Sequence, residues 1–465
     1  MKAKSVPSSW LERDGRRLDC NPYMSGALEA KVLLESMPAR KDRLQDVTRN
    51  GMSGIFHAGR IKRMWVDSPE HGQPFLSSTE ILQADLSNLP LISRKAIAEN
   101  PRLPLHTGWT LITRSGTVGR MAYARPDMEG YACSEHVLRV VPDAEKIPPG
   151  YLYAYLSSKF GVPLVIGGTF GSIIQHIEPE HIANLPVPRL GTKAERDVHA
   201  LMESAASNRS RAHELRQEAQ SSLYRQFSLS DLADADTAVN YAAFNVQASS
   251  LRRLDAAHHS PACRAAANEL ASAGETKRLD DVARVFTPGI FKRIHVEDPA
   301  YGYPYFSGTE LFQYDPEPRG YLSRRAPKID EYIVRENWLL IQDAGQLEGL
   351  IGRLMRVTPA FANSVVSNHL MRVAAEEAAD AAYLSVVLSS PHGYRAITRN
   401  AFGSSIPQLD PAHIGALRLP WPKETIRKRI AGPVLEAWNL EDEASANVRK
   451  ATKKVEDAIE KGATN

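Results

Sequence analysis

Two stretches of the chain share one helical rhythm. From Ala194 to about Phe227 there is no Pro and no Gly, and Val198, Leu201, Ala205, Ala212, Leu215, Ala219 and Leu223 recur at three- and four-residue steps among Glu, Arg, Gln and Ser. From about Ile426 to Ile459 the rhythm returns with Ile430, Val434, Ala437, Ala444, Val448, Val455 and Ile459, and Gly432-Pro433 is expected to interrupt its first turn. Such spacing lines up one apolar seam on a helix, as in a coiled coil. About 34 residues at 1.5 Å each make a rod on the order of 50 Å. Two unrelated surface helices would satisfy the same pattern. The sharper reading pairs them antiparallel, in a pseudo-two-fold molecule with one globular domain at each end.

The stretches before each rod read differently. Residues 108–124, "GWTLITRSGTVGRMAYA", and 337–357, "NWLLIQDAGQLEGLIGRLMRV", hold short β-rich runs broken by Gly. Residues 149–161, "PGYLYAYLSSKFG", space their apolar positions as a helix does. Each half therefore reads as an α+β domain around a twisted sheet.

The two halves are copies. "TFGSIIQHIEPEHIANLPVP" at 169–188 matches "AFGSSIPQLDPAHIGALRLP" at 401–420 in nine of twenty positions. Further matches fall in the same order: "RRLD" at 16 and 252, "RLQDV" at 43 with "RLDDV" at 278, and "FLSSTE" at 75 with "YFSGTE" at 305. "SEHVLRV" at 134 pairs with "SNHLMRV" at 367, and "YLYAYLSS" at 151 with "YLSVVLSS" at 383. A period of about 230 residues is far too long for a solenoid and describes tandem domains. The expected fold class is α+β, with two tandem mixed α/β domains joined and followed by two long helices packed as an antiparallel coiled coil. The boundaries are 1–190 for the first domain, 191–240 for the central helix, 241–422 for the second domain and 423–465 for the last helix.

Composition narrows the picture only a little. A net charge of +3, from 57 basic and 54 acidic residues, does not announce a nucleic-acid binder, although basic groups can still cluster on one face. Cys20, Cys133 and Cys263 form no C-x-x-C pair and read as reduced thiols of a cytoplasmic protein. No apolar run approaches the roughly 20 residues that span a bilayer, so no membrane partner is expected.

Catalytic signatures are missing from the sequence. No phosphate-binding loop, dinucleotide fingerprint, zinc-protease helix or nucleophile elbow occurs. "SGTVGR" at 115–120 lacks the phosphate-loop Lys and reads as a turn between strands. Matched polar residues do exist: His136/His369, His181/His413 and Glu80/Glu310. An acid–base role is conceivable for them. Capping and backbone hydrogen bonding is the stronger reading, because no Asp, Ser or Cys partner accompanies both copies.

The repeated G-S string leading into a long helix, present twice, resembles the specificity subunit of type I restriction-modification systems (HsdS). The resemblance covers nearly the whole chain. It implies two target-recognition domains, each reading one half of a split, asymmetric duplex DNA target, with helices that set the spacing. It also implies no catalysis in this chain and no cofactor of its own. Two DNA adenine methyltransferase subunits would dock on the helices and carry S-adenosylmethionine, with a motor-nuclease subunit as a further member. Glu178 and Asp410 stand where the family usually has Ser or Thr, and the helix openings lack the usual Gln-Glu-x-I. Both departures point to a divergent partner in a variant antiviral defence system. A coiled-coil scaffold with duplicated protein-binding domains is the alternative, and an enzyme with a duplicated active site a third reading.

Candidate DNA contacts follow from residue chemistry and position. Arg and Lys suit guanine edges and phosphates, and Asn and Gln suit adenine. In the first domain these are Arg60, Lys62, Arg63, Ser78, Arg114, Ser115, Thr117, Gln175 and His176. In the second they are Lys292, Arg293, His295, Gln342, Gln346, Ser405 and Gln408. The Lys-Arg pair occurs in both loops, so it suits phosphates better than bases.

Overall fold

The computed structural model describes residues 3–13, 21–87, 89–115, 117–167, 176–232, 245, 253, 256–346, 349–403 and 405–464. The chain divides into two compact units, Met1–Ser210 with Glu443–Asn465, and Arg211–Asp442. Each unit therefore takes one globular segment and a portion of both long helices.

Among the described residues ten strands build the first unit: β1 (Lys41–Arg43), β2 (Ile55–Phe56), β3 (Trp65–Val66), β4 (Gly72–Leu76), β5 (Leu91–Ser93), β6 (Thr110–Thr113), β7 (Met121–Tyr123), β8 (Ala132–Cys133), β9 (Val137–Val140) and β10 (Pro186–Pro188). Their sheets run β1-β10, β2-β9-β6-β7 and β3-β5-β4-β8. In the second unit the strands are β11 (Thr276–Arg278), β12 (Arg284–Phe286), β13 (His295–Val296), β14 (Gly302–Phe306), β15 (Gly320–Ser323), β16 (Leu339–Gln342), β17 (Leu354–Arg356), β18 (Val365–Val366), β19 (Leu370–Ala374) and β20 (Arg418–Pro420). The orders are β11-β20, β12-β19-β16-β17 and β13-β15-β14-β18, the first unit's orders with every label raised by ten. The duplication read from the sequence is thus a duplication of topology. Each unit is mixed α+β, and the strands β6 and β16, whose residues are all buried, do not alternate apolar with polar positions for that reason.

The repeated string closes each domain. Its last residues form β10 and β20, which pair antiparallel with the first strands, Lys41 opposite Pro188 and Thr276 opposite Pro420. Buried tyrosines lock the closure: Tyr151 and Tyr155 donate to the carbonyls of Pro188 and Pro186, and Tyr383 donates to that of Pro420 at 2.7 Å. The helix that carries Tyr383 (Ala378–Ser389) turns sharply at Ser390 into the next (Pro391–Thr398), which packs back on it at Gly393. A Cβ there would lie 2.0 Å from the Val387 carbonyl oxygen; at Gly161, its counterpart, a Cβ would lie 2.3 Å from the Tyr155 oxygen. Only glycine fits at these two positions.

The long helices run Thr192–Phe227 and Glu424–Thr464. In the first unit Val198, Met202, Ala205, Val448, Ala451, Val455 and Ile459 join the core of the sheet and the Pro149–Leu156 helix. In the second, Ala219, Leu223, Ile430, Ala431, Val434 and Trp438 do so. Each buried Val, Leu, Ile or Met among them contributes roughly 1.5–3 kcal/mol of burial. Polar contacts set the direction within the second unit: Arg216 forks onto Glu441 at 2.8–3.1 Å, and Arg429 pairs with Gln226. The two segments therefore run antiparallel.

One expectation fails. Gly432-Pro433 does not interrupt the last helix, which runs through it with Pro433 inside. Glycine has no Cβ to clash with the proline ring, so Gly432 stays helical where another residue would resist. Burial of Ile430, Ala431 and Val434 outweighs the hydrogen bond that Pro433 cannot make.

Candidate nucleic-acid interface

Sheet polarity brings the candidate residues to one edge of each unit. β6 and β9 are antiparallel, so the end of β6 at Thr113 meets the start of β9 at Val137. β2 is also antiparallel to β9 and so ends on the same side as β6. β4 runs parallel to β8 and delivers Ser77 and Ser78 beside Ser134, whose N–H donates to the Leu76 carbonyl at 2.9 Å. The loops after β2, β4 and β6 and the turn before β9 therefore share an edge. The second unit repeats this with β12, β14, β16 and β19.

In the first unit one polar chain ties these loops together. Arg63 donates to Glu135 at 3.2 Å and lies over the Phe75 ring, 5.2 Å from its centre. Glu135 stands 3.6 Å from His136, whose Nδ1 is 3.2 Å from the Ser115 hydroxyl. That hydroxyl also meets His176 Nδ1 at 2.8 Å, and Ser115 and His176 are bridged through their backbones. Arg114 points inward: its guanidinium donates to the Ile177 carbonyl at 3.0 Å and pairs with Glu178. It clamps the returning chain to the sheet edge. His57 lies 3.6 Å from the same Glu178, and burial, followed by the charge of Arg114, lowers its pKa. Arg60 and Lys62 are exposed and have no ion-pair partner among the described residues. Ser78 is half-buried and Thr117 exposed, with the Thr117 carbonyl accepting from the Thr113 hydroxyl. Gln175 lies outside the described residues.

The second unit keeps the scaffold and changes the chemistry. By strand register Gln342 replaces Thr113, Asp343 replaces Arg114 and Ala344 replaces Ser115. Ala344 bridges to Gln408 where Ser115 bridges to His176. Asp343 pairs with His369 at 3.3 Å, while Asp410, at the place of Glu178, caps the Pro411–Gly415 helix. Gln342 is buried, its amide donating to the Ala344 carbonyl at 2.9 Å. Gln346 is exposed and donates to the Ser405 carbonyl at 3.1 Å, which joins the loop after β16 to the repeated string. Lys292, Arg293 and His295 are exposed on the loop after β12 and the strand it enters, with Arg293 over the Tyr305 ring.

Burial raises the Asp343 pKa to about 6, against the pull of His369. Its folded pKa thus lies above the ordinary value of 3.8, so the native state binds the proton more tightly. The resulting stability is complete below about pH 4 and is lost as pH rises through about 6. Urea unfolding should show Asp343→Asn more stable than the parent at neutral pH, with a margin that disappears towards pH 4. A margin independent of pH would contradict this assignment.

The matched His and Glu residues do not assemble into one centre. Glu80 and Glu310 each accept from the N–H of a preceding serine, Ser77 or Ser307, at 3.0 Å, capping a short turn. His181 accepts from the Glu178 N–H at 2.9 Å in a cap, as its place beside a proline turn suggests. His136 and His369 face different acids, Glu135 and Asp343. Among the described residues no cluster of three or more His, Cys, Asp or Glu is placed to hold a metal, and no helix is long and apolar enough to cross a membrane.

Two positioning residues escaped the sequence reading. Arg139 and Arg372 have no solvent exposure. Arg139 donates to the carbonyls of Ser134, Val137 and Cys133, and Arg372 to those of Ser367, Leu370 and Val366. Each guanidinium thereby shapes the turn that presents His136 or His369. Burial lowers the pKa of both, that of Arg372 to about 10, which leaves it charged at neutral pH. Their signal was a charged residue at the same strand position in both copies of the S-x-H-x-x-R-V string.

No family model matches the chain, and no curated protein matches it. Among solved structures, the type I restriction-modification system S subunit from M. genitalium aligns over 92% of this chain and 96% of its own. The chain is similar to type I restriction-modification S subunits. For the M. genitalium protein the identity is 11% and the TM-score 0.37. The HsdS subunit from Thermoanaerobacter tengcongensis aligns over 91% of this chain and 97% of its own, with 13% identity and a TM-score of 0.28. A third structure, described by the assembly and conformational transition of the type I R-M system, gives 16% identity and a TM-score of 0.25, over 92% and 97% of the two chains.

Proposed function

We propose that this chain is a non-catalytic DNA-recognition subunit that reads a bipartite, asymmetric duplex target, one block per unit. The observation that carries the reading is the common sheet edge: two copies of one scaffold present corresponding loops with different chemistry. A cationic and imidazole-bearing set (Arg60, Lys62, Ser115, His176) stands in the first unit, and a set with carboxamides (Lys292, Gln346, Gln408) in the second. A duplicated reader of two half-sites needs equivalent frames and unlike contacts. Lys62 and Lys292, at the same loop position, supply phosphate contacts, whereas the exchanged positions face bases. Arg114 and Gln342 act by holding the returning loop and the strand end.

The partners follow from the same reading. Two adenine methyltransferase subunits, which carry S-adenosylmethionine, dock on the long helices in the cytoplasm, and a motor-nuclease subunit completes a restricting complex. The test is enrichment of duplexes from a randomised pool by the full-length chain, alone and with a methyltransferase encoded beside it. Recovery of two sequence blocks at a fixed separation supports the proposal. Recovery of no preferred sequence contradicts it and favours a protein-binding scaffold.

A further inference from the structure

The loop between β12 and β13 carries an isoleucine in an unusual setting. Ile290 is 94% exposed. Single exposed apolar side chains are common and need no explanation by themselves. Here both neighbours of Ile290 are fastened. The Phe291 ring packs on Tyr332 with centroids 3.8 Å apart, and the Tyr332 hydroxyl donates to the Gly289 carbonyl at 2.8 Å. Tyr332 is itself buried. Ile290 is therefore a fixed apolar point, and the exposed cations Lys292 and Arg293 follow just after Phe291.

Strand register gives the counterpart in the first unit. Ile55 and Val285 occupy equivalent places opposite Val140 and Val373, and the loops to β3 and β13 have equal length. Ile290 thus stands where the first unit has the exposed Arg60. The same loop offers a cation in one unit and a wedge-shaped hydrocarbon in the other.

We propose that Ile290 inserts between adjacent base pairs of duplex DNA from the minor groove, kinking the block read by the second unit, while Arg60 makes a polar contact in the other block. This rests on the DNA-reading function proposed above. Branched apolar side chains on cation-flanked loops act in this way, unstacking a base step so that more phosphate reaches the protein. The fixed loop limits the ordering cost on binding, and the adjacent Lys292 and Arg293 complement phosphate, which favours DNA over an apolar partner protein as the occupant.

The test uses the full-length chain and the duplex that the wild-type protein enriches from a randomised pool, with 2-aminopurine placed through the second unit's block. Wild-type binding should raise the 2-aminopurine fluorescence at one step, and Ile290→Met should retain that rise. Ile290→Ala should lose it and bind about tenfold more weakly, with a shallower slope of log affinity against log salt because the phosphates that the kink brings to the protein are no longer reached. Its melting temperature should match the parent, since the side chain is exposed. If Ile290→Ala binds and unstacks as the parent does, or weakens binding with unstacking intact, the wedge is wrong. If the wild-type chain enriches no duplex, the DNA-reading function fails first and the wedge falls with it.

Discussion

Replacing Arg372 with Met should destabilise the protein by about 2–6 kcal/mol, from the buried carbonyls that lose its guanidinium at about 1–3 kcal/mol each. The side chain is wholly buried and donates to the carbonyls of Ser367, Leu370 and Val366 around one turn. Methionine fills much of the volume but leaves the Leu370 and Val366 carbonyls without this donor, at about 1–3 kcal/mol for each, while the Ser367 carbonyl keeps the Leu370 N–H. Lysine should recover only part of the loss, because one ammonium cannot reproduce the guanidinium fork. Arg139→Met in the first unit should behave alike, since Arg139 makes the equivalent bonds. Urea unfolding followed by circular dichroism reads the effect. A loss below about 1 kcal/mol would mean that the turn holds its shape without the guanidinium.

Gly393→Ala is the second large effect. The added carbon would sit 2.0 Å from the Val387 oxygen and 2.7 Å from the Leu388 Cα, and both are backbone atoms of the helix that Gly393 packs against. Neither can move aside as the end of a flexible side chain could. Overpacking a yielding core typically costs about 1–3 kcal/mol, so about 3 kcal/mol or more is expected here. Thermal unfolding should show it as a large drop in melting temperature, with Gly161→Ala giving the same result in the other unit. A melting temperature near the parent's for either variant would show that the two helices can separate at little cost.

The long helices and the duplication were legible because both rest on patterns that survive in one dimension. Apolar residues three and four apart report a seam, and ordered matches report a repeated topology, which the parallel strand orders of the two units bear out. The sharing of one sheet edge by the loops was implied but not visible, because it depends on strand polarity. Individual side chains were harder to read. By residue type and position Arg114 reads as a DNA contact, and its engagement with Glu178, 64 residues away, is not visible in local sequence. Gln342 was chosen by residue type, yet it is the last residue of a strand buried on both faces. Gly432-Pro433 looked like a break because proline usually ends a helix. Three-dimensional burial on either side of the pair decides otherwise.

The most direct test of the central claim is the sequence content of duplexes enriched by the chain together with the methyltransferase partner proposed for it. Two blocks at one fixed separation are predicted. Exchanging the loop 287–294 for its counterpart 57–64 should alter the block read by the second unit and leave the other block and the separation unchanged. Enrichment of a single contiguous site, or of no site while the complex remains intact, would contradict the account.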